Sequence, residues 1–265
     1  MSNFPADPVF VVGSGNLARN FLLKFRDIKI PVHGFLARNK TLAKKIEEET
    51  GFPAFDHTKD IPGNTSFCFL AVSDQAISEV ASGIPPISGI LIHHSGTTDI
   101  EAIQCVRKKG VIWPLQSLTA YSHLNWNEIP LMIEGSDKDV LNEIQKFASL
   151  LSPIVEEADS ARRVMCHLAA VFSNNFVNHL IAVAFDIAKS EGIDPTLLIP
   201  LIQETLKRVQ SANPADLQTG PAIRNDQPTI ARHQELLSQH PEYQQLYNML
   251  TSDIIRYRNI NTTKK

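Results

Sequence analysis

Three stretches of this chain place residue types at spacings that suit chemistry. The first is Val9-Phe10-Val11-Val12 running straight into Gly13-Ser14-Gly15-Asn16-Leu17-Ala18, an apolar β-type run feeding G-x-G-x-x-A. In such a turn Gly13 allows the sharp exit from the strand. Gly15 lacks a Cβ, so a pyrophosphate can approach the backbone, and Ala18 lets the next helix pack closely on the strand. The free N–H groups of the helix N-terminus then face the phosphates. The second stretch is Cys166 to His179. At helical spacing His167, Val171, Asn174 and Asn178 fall on one stripe. Asparagine is a poor residue for a helix interior, and a buried stripe of one imidazole and two amides is costly unless it is hydrogen-bonded or faces a wet cleft. The stripe therefore reads as a site wall, with His167 able to act as acid or base near neutral pH. A satisfied polar patch at a helix–helix contact is the alternative. The third stretch runs from Thr219 to His233. Gly220-Pro221 marks a turn, Pro228 suits the first turn of a helix, and Thr229 and His233 share a face. Arg224 and Asp226 can anchor a carboxylate-bearing substrate or pair with each other.

The type of dinucleotide is written at the end of the second strand. Binders of the unphosphorylated ribose carry Asp or Glu there. Here the place reads Leu36-Ala37-Arg38-Asn39-Lys40, with no carboxylate until Glu47. Arg38 can stack on adenine and pair with a 2′-phosphate, and Lys40 adds charge, which favours NADP(H) over NAD(H). The expected cofactor contacts are Gly13, Ser14, Gly15, Asn16, Leu17, Arg38, Asn39, Lys40, Ala71, Val72, Ser73 and Ser95. Gln116 and Ser117, in a loop after Trp113, can meet the nicotinamide amide or the substrate. Each of these loop residues reads equally well as a polar cap.

The elements that must hold these residues come in two kinds. Up to about residue 158, strands alternate with helices: Val9–Val12, Val32–Leu36, Thr65–Val72, Gly89–His93, Val111–Trp113, Leu131–Ile133 and Ile154–Val155 as strands. Helices are expected over Asn16–Phe25, Thr41–Thr50, from an Asp74 N-cap, around Ile100–Lys109 and over Asp137–Leu151. That alternation implies parallel βαβ units in a doubly wound sheet. Beyond Asp159 the pattern turns helical: a stretch from Ala161 to Ser190 without Gly or Pro, then Pro195–Val209, a loop over Ser211–Gln227, Pro228–Leu237 and Tyr243–Tyr257. The expected architecture is a Rossmann α/β domain over residues 1–158 and an all-α domain over residues 159–265.

Bulk composition narrows the partners. With 265 residues, 43% hydrophobic and 20% charged, the chain can bury about two ordinary cores. A net charge of −3 excludes an electrostatic case for nucleic acid. The three cysteines, Cys68, Cys105 and Cys166, are odd in number, scattered and flanked by apolar residues. They read as reduced thiols in a cytoplasm, and none has metal-ligand spacing. The first residues lack a signal-peptide pattern, and no run reads as a membrane span.

The chain resembles a family of bacterial Rossmann-like NADP oxidoreductases whose helical C-terminal domain, of unknown function, is similar to that of 6-phosphogluconate dehydrogenases. The residues that carry the likeness are Gly13 to Ala18, Leu70 to Asp74, His94-Ser95-Gly96, Trp113 to Ser117, His167 to Asn175, and Thr219 to His233. More distantly the chain is similar to pyrroline-5-carboxylate reductases, deazaflavin-dependent NADP reductases and β-hydroxyacid dehydrogenases. The resemblance implies hydride transfer at the domain cleft and a homodimer built through the helical domain. In the β-hydroxyacid dehydrogenases a catalytic Lys lies three residues before an Asn pair; Asn174-Asn175 match that pair, and Val171 stands in the Lys position. His167, one turn earlier, is the nearest replacement. The expectation is an NADP(H)-dependent oxidoreductase acting on a small carbonyl, imine or hydroxyacid, or on a deazaflavin or flavin. In it His167, Asn174 and Asn178 serve catalysis, and Gln116, Ser117, Arg224, Asp226 and His233 bind substrate. The rival reading, favoured by the missing lysine, is a non-catalytic NADP(H)-binding sensor.

Overall fold

The computed structural model describes residues 8–118 and 124–262. It divides into two compact units, Met1–Ser173 and Asn174–Lys265.

The first unit is built on an eight-stranded sheet. Its strands are β1 (Val9–Val12), β2 (Val32–Leu36), β3 (Ala54–Phe55), β4 (Phe67–Leu70), β5 (Ile90–His93), β6 (Lys109–Pro114), β7 (Leu131–Gly135) and β8 (Val155–Glu157). They lie in the order β3-β2-β1-β4-β5-β6-β7-β8, parallel throughout except where β7 runs against β6. The order reverses direction between β1 and β4, so the loops leaving those two strands diverge and open a crevice beyond their C-terminal ends. β1 and β4 are apolar along their whole length, β5 is apolar up to His93, and all three are buried on both faces, as a sheet covered by helices on each side requires.

Helices α1 (Asn16–Asp27), α2 (Lys40–Thr50), α3 (Ile77–Ser82) and α4 (Lys138–Leu151) cover the sheet. On α1 the buried residues Ala18, Phe21, Leu22 and Phe25 recur at helical spacing and form one face. Phe21 and Phe25 meet Phe69 of β4 edge-on at ring-centroid distances of 5.1 and 5.3 Å. Val140, Ile144, Phe147, Ala148 and Leu151 do the same for α4. Asp137 starts α4 by accepting from the Asp139 and Val140 amides at 2.9 Å, a side-chain cap on otherwise orphan donors. Helix α5 (Ser160–Ala170) follows β8 and belongs to this unit, so the division falls at Ser173 and not at the composition change near Asp159. The reason is local: Arg163 of α5 is fully buried and ion-paired to Glu134 of β7, which ties α5 to the sheet.

Two sequence expectations fail here. The helix around Ile100–Lys109 is only a 3-10 turn over Ile100–Ala102. Ile103 is instead buried in an apolar cluster with Phe10, Leu70 and Leu91, and β6 already begins at Lys109, before Gly110. Asp74 does not cap a helix either; its carboxylate accepts from the Ser95 and Thr97 hydroxyls at 2.7 and 3.0 Å.

The second unit holds α6 (Val177–Ser190), α7 (Ile199–Arg208), the short α8 (Pro221–Arg224), α9 (Gln227–Leu236) and α10 (Pro241–Thr262). A π-helical turn over Val171–Phe176 separates α5 from α6. Such turns are rare inside α-helices. The stretch Ser160–Ser190 is long and apolar enough to cross a membrane by length and composition, with none of its most apolar window buried. The sequence reading, which found no such run, missed it because Asn174, Asn175, Asn178 and His179 interrupt it.

Candidate active site

The crevice between the β1 and β4 loops is a cleft of about 840 Å³. One wall is Gly13, Ser14, Gly15, Asn16 and Leu17; the facing wall is Ala71, Val72 and Ser73; the far end holds Arg38 and Asn39. The turn is formed as its composition requires. Gly13 has φ +131°, and a Cβ there would sit 2.2 Å from the Ala71 carbonyl oxygen. No other residue fits between the diverging loops. A Cβ on Gly15, by contrast, would meet nothing within 4 Å, so this position opens onto the cleft. Gly15 is also the N-cap of α1 and has no side chain to cap it, and the first turn of α1 carries no acidic residue. The amides of that turn therefore keep their attraction for an anion. The residues fit a dinucleotide pyrophosphate.

The far end of the cleft is shaped by strand register. β2 and β3 pair in parallel, with Phe35 opposite Ala54 and Leu36 opposite Phe55. The chain leaving β2, Arg38-Asn39, thus runs beside the chain leaving β3, Asp56-His57-Thr58, and all five residues line the cleft. The sequence reading missed Asp56, His57 and Thr58 because a two-residue strand leaves no periodic signal. It also missed Ala76, Glu79, Val80 and Gly83 along the same wall. Asn39 caps α2, its side chain accepting from the Leu42 amide at 3.1 Å. Lys40 is exposed and does not line the cleft, nor does Ser95. Ser95 is buried, bonded to Asp74, and accepts from the Thr97 and Thr98 amides at 3.1 and 2.9 Å.

His167 lies half-buried on α5, its ring 5.8 Å from that of Trp113. Gly96 passes beneath both: a Cβ there would stand 2.7 Å from the Trp113 ring and 3.2 Å from His167 Nδ1. Gln116 and Ser117 are exposed, and the Gln116 side chain folds back to accept from the Ser117 amide at 2.9 Å. Asn174 and Asn178 are exposed in the second unit. There Asp226 is used as the N-cap of α9, accepting from the Thr229 amide at 3.2 Å and its hydroxyl at 2.8 Å. The hydrogen bonds from Thr229 hold its carboxyl below the usual range. His233 Nδ1 is 3.0 Å from the Tyr247 hydroxyl, and Arg224 is exposed.

Two histidines that the sequence reading left as strand-end residues prove to be buried and neutral. His93 Nδ1 accepts from the Ser95 amide at 3.2 Å. Burial, and next the Arg163 charge, push its pKa down to about 4. His94 Nδ1 sits 2.7 Å from the Ile112 carbonyl oxygen, an acceptor only, so Nδ1 carries the proton. Burial pushes its pKa down to about 3. In both rings Nε2 is buried without a partner. Burial beside Phe21 and Phe69 explains His94, and no local sequence signal reveals it.

Comparison with known proteins gives the same architecture. Residues 129–254 match the model of the Domain of unknown function DUF2520. A candidate NADP oxidoreductase from Bacteroides fragilis is 29% identical, with 94% of this chain and 98% of that one covered and a TM-score of 0.87. A protein from Thermotoga maritima is 23% identical over 96% of this chain and 99% of its own, with a TM-score of 0.74. The reductive aminase from Aspergillus terreus, solved with NADPH and ethyl levulinate, is 12% identical over 94% and 93%, with a TM-score of 0.68. No curated protein matches. Residues 129–254 are thus similar to the DUF2520 domain, and the fold as a whole, a doubly wound sheet followed by helices, is similar to that of the candidate NADP oxidoreductase from Bacteroides fragilis.

Proposed function

We propose that the protein is an NADP(H)-dependent oxidoreductase that moves a hydride to or from a small carbonyl, imine or hydroxyacid. The observation that carries the reading is the cleft at the β1/β4 switch point. The uncapped α1 N-terminus and the open Gly15 lie at one end, and Arg38, with no carboxylate on its own loop and Asp56 on the neighbouring one, lies at the other. The bound nicotinamide supplies or accepts the hydride. The chain's own residues do the rest. The α1 amides and Gly15 hold the pyrophosphate, and Arg38 pairs with the 2′-phosphate. His167, braced by Trp113 over Gly96, gives or takes the proton of the reacting oxygen or nitrogen.

Leu197, Leu201 and Leu206 of the second unit are 70%, 66% and 53% exposed, apolar side chains that a partner surface would cover. They support a homodimer, and light scattering that returned the monomer mass would remove it. The three described cysteines are free, which suits a reducing cytoplasm.

The deciding experiment is a fluorescence titration of the full chain with NADPH and NADH in parallel. Tight NADPH binding with NADH at least tenfold weaker supports the reading. Binding of neither coenzyme overturns it.

A further inference from the structure

A continuous set of hydrogen bonds joins the wall of the dinucleotide cleft to α5. The wall loop 71–73 ends at Asp74, whose carboxylate holds the Ser95 and Thr97 hydroxyls. Ser95 in turn folds the chain after β5 by accepting from the Thr97 and Thr98 amides. The Thr98 carbonyl oxygen accepts from the Arg163 guanidinium at 2.7 Å. Arg163 is completely buried, ion-paired to Glu134, and 3.3 Å from Ser160 Oγ. The Ser160 hydroxyl donates to the same Glu134 carboxylate at 3.1 Å. His167 follows Arg163 by four residues on α5 and so lies one turn along the same face. There His167 Nδ1 lies 3.2 Å from where a Cβ on Gly96, inside the folded segment 95–98, would stand.

Stability does not account for this arrangement. A buried ion pair is at best weakly stabilising, because desolvating both charges offsets their attraction. Arg163 Nε is moreover buried without a partner. What the guanidinium does provide is planar, multi-point geometry: beside Ser160 of its own helix it holds Glu134 of β7 and the Thr98 carbonyl, and these two contacts fix α5 against the sheet and against the segment that His167 rests on. Gly96 keeps this place free for the imidazole, since a Cβ there would stand 3.2 Å from His167 Nδ1.

We infer that Arg163 is the positioning residue for His167, and that Asp74 links that position to the loop walling the dinucleotide cleft. The inference rests on the oxidoreductase reading, in which His167 handles the proton. Occupancy of the cleft shifts loop 71–73, Asp74 carries the shift to Ser95 and Thr98, and Arg163 passes it to α5. His167 then takes its working position when coenzyme is present.

The test follows the His167 imidazole Cε1–H resonance by NMR, identified by its loss in His167→Gln, as NADPH is added to the full chain. Wild type is expected to show a saturable shift of this resonance. Asp74→Ala is an exposed change that leaves the core intact; it is expected to bind NADPH within about threefold of wild type yet lose at least half of the shift. Arg163→Lys keeps a charge for Glu134 but cannot also reach Thr98, and is expected to displace the resonance before any NADPH is added. An undiminished shift in Asp74→Ala would mean that coenzyme acts on His167 directly, and the link would be overturned. An unmoved resonance in wild type that demonstrably binds NADPH would overturn it too, leaving the cofactor reading intact. Absence of NADPH binding in wild type would overturn the oxidoreductase reading, and the link with it.

Discussion

The two units spend their polar residues differently. In the first, the backbone makes the site: a strained glycine, an uncapped helix end and two loops parted by a change in strand order. Of the candidate polar groups there, Ser14, Asn16, Arg38, Asn39 and Ser73 line one cleft, Ser95 and His167 meet the segment 95–98, and Lys40, Gln116 and Ser117 do neither. In the second, two of the candidate polar groups have local employment and three, Asn174, Asn178 and Arg224, are exposed. Asp226 caps α9, His233 meets Tyr247, and Gln227 bonds Asn225 at 2.8 Å. A site built from backbone is fixed by fold and therefore sensitive to single Cβ atoms. Side chains spent on caps are sensitive only to loss of that cap. This contrast sets the expected sizes of mutational effects.

The sharpest break comes at Gly13. Gly13→Ala places a methyl group 2.2 Å from the Ala71 carbonyl oxygen at a φ that L-residues avoid. Steric overlap with backbone cannot relax by a rotamer change, so the cost is ~3 kcal/mol or more. Thermal unfolding would show it, together with loss of NADPH binding. A variant as stable as wild type would mean that the two loops are free to separate and that the cleft is not rigid.

The buried histidines come next. Both titrate lower in the folded chain than their ordinary value of 6.5, His93 to about 4 and His94 to about 3. Between those values and pH 6.5 the unfolded chain binds more protons, so stability is fully present above about pH 6.5 and falls as the solution is acidified. Each ring contributes a slope of about 1.4 kcal/mol per pH unit. His94→Phe keeps a ring beside Phe21 and Phe69 but cannot take up a proton. It is expected to be less stable at pH 7, because the Ile112 carbonyl loses its donor, and to lose stability less steeply toward pH 4. An equally steep acid limb in the variant would assign the acid sensitivity elsewhere.

Arg38 tests the far end of the cleft. Arg38→Ala is expected to weaken NADPH binding about tenfold while NADH binding stays unchanged, read by parallel titrations. An equal loss for both coenzymes would place Arg38 on the adenine alone, and no loss would move the discrimination to His57 or Thr58 on the neighbouring loop.

How much of this could be read from the sequence follows the same division. The glycine turn was legible because it is local: strand, G-x-G-x-x-A and helix lie within one contiguous stretch, and each residue's task depends on its neighbours. The α/β alternation was legible because strands buried on both faces are apolar throughout. That Arg38 lines the cleft was legible from its place after β2. Three features were not. The contribution of Asp56, His57 and Thr58 depends on β3, two residues long and recognisable only through its pairing with β2. The neutral state of His93 and His94 depends on what surrounds β5 from other parts of the chain. The role of Arg163 depends on Glu134 and Thr98, distant in sequence, and its composition context is that of an ordinary solvated cation in the first turns of a helix. Asp74 shows the converse failure: a good helix-capping residue by position was drawn off by two hydroxyls from another loop.

The smallest expected effect belongs to the second unit and bears directly on whether Asp226 is a capping residue or a substrate ligand. Its side chain accepts from both the amide and the hydroxyl of Thr229. Removal by Asp226→Ala leaves an orphan donor in the first turn of α9. Amide exchange of that turn should speed up roughly fivefold, with the rest of the chain unaffected. Asp226→Asn should restore slow exchange, because the amide oxygen caps as well as the carboxylate does. A substrate-binding role makes the opposite demand. The carboxylate charge would then matter, Asn would fail to substitute in any assay of turnover, and exchange in α9 would be the same in all three proteins. Because the two variants separate charge from capping geometry, the pair decides whether this loop is part of the site or part of the scaffold.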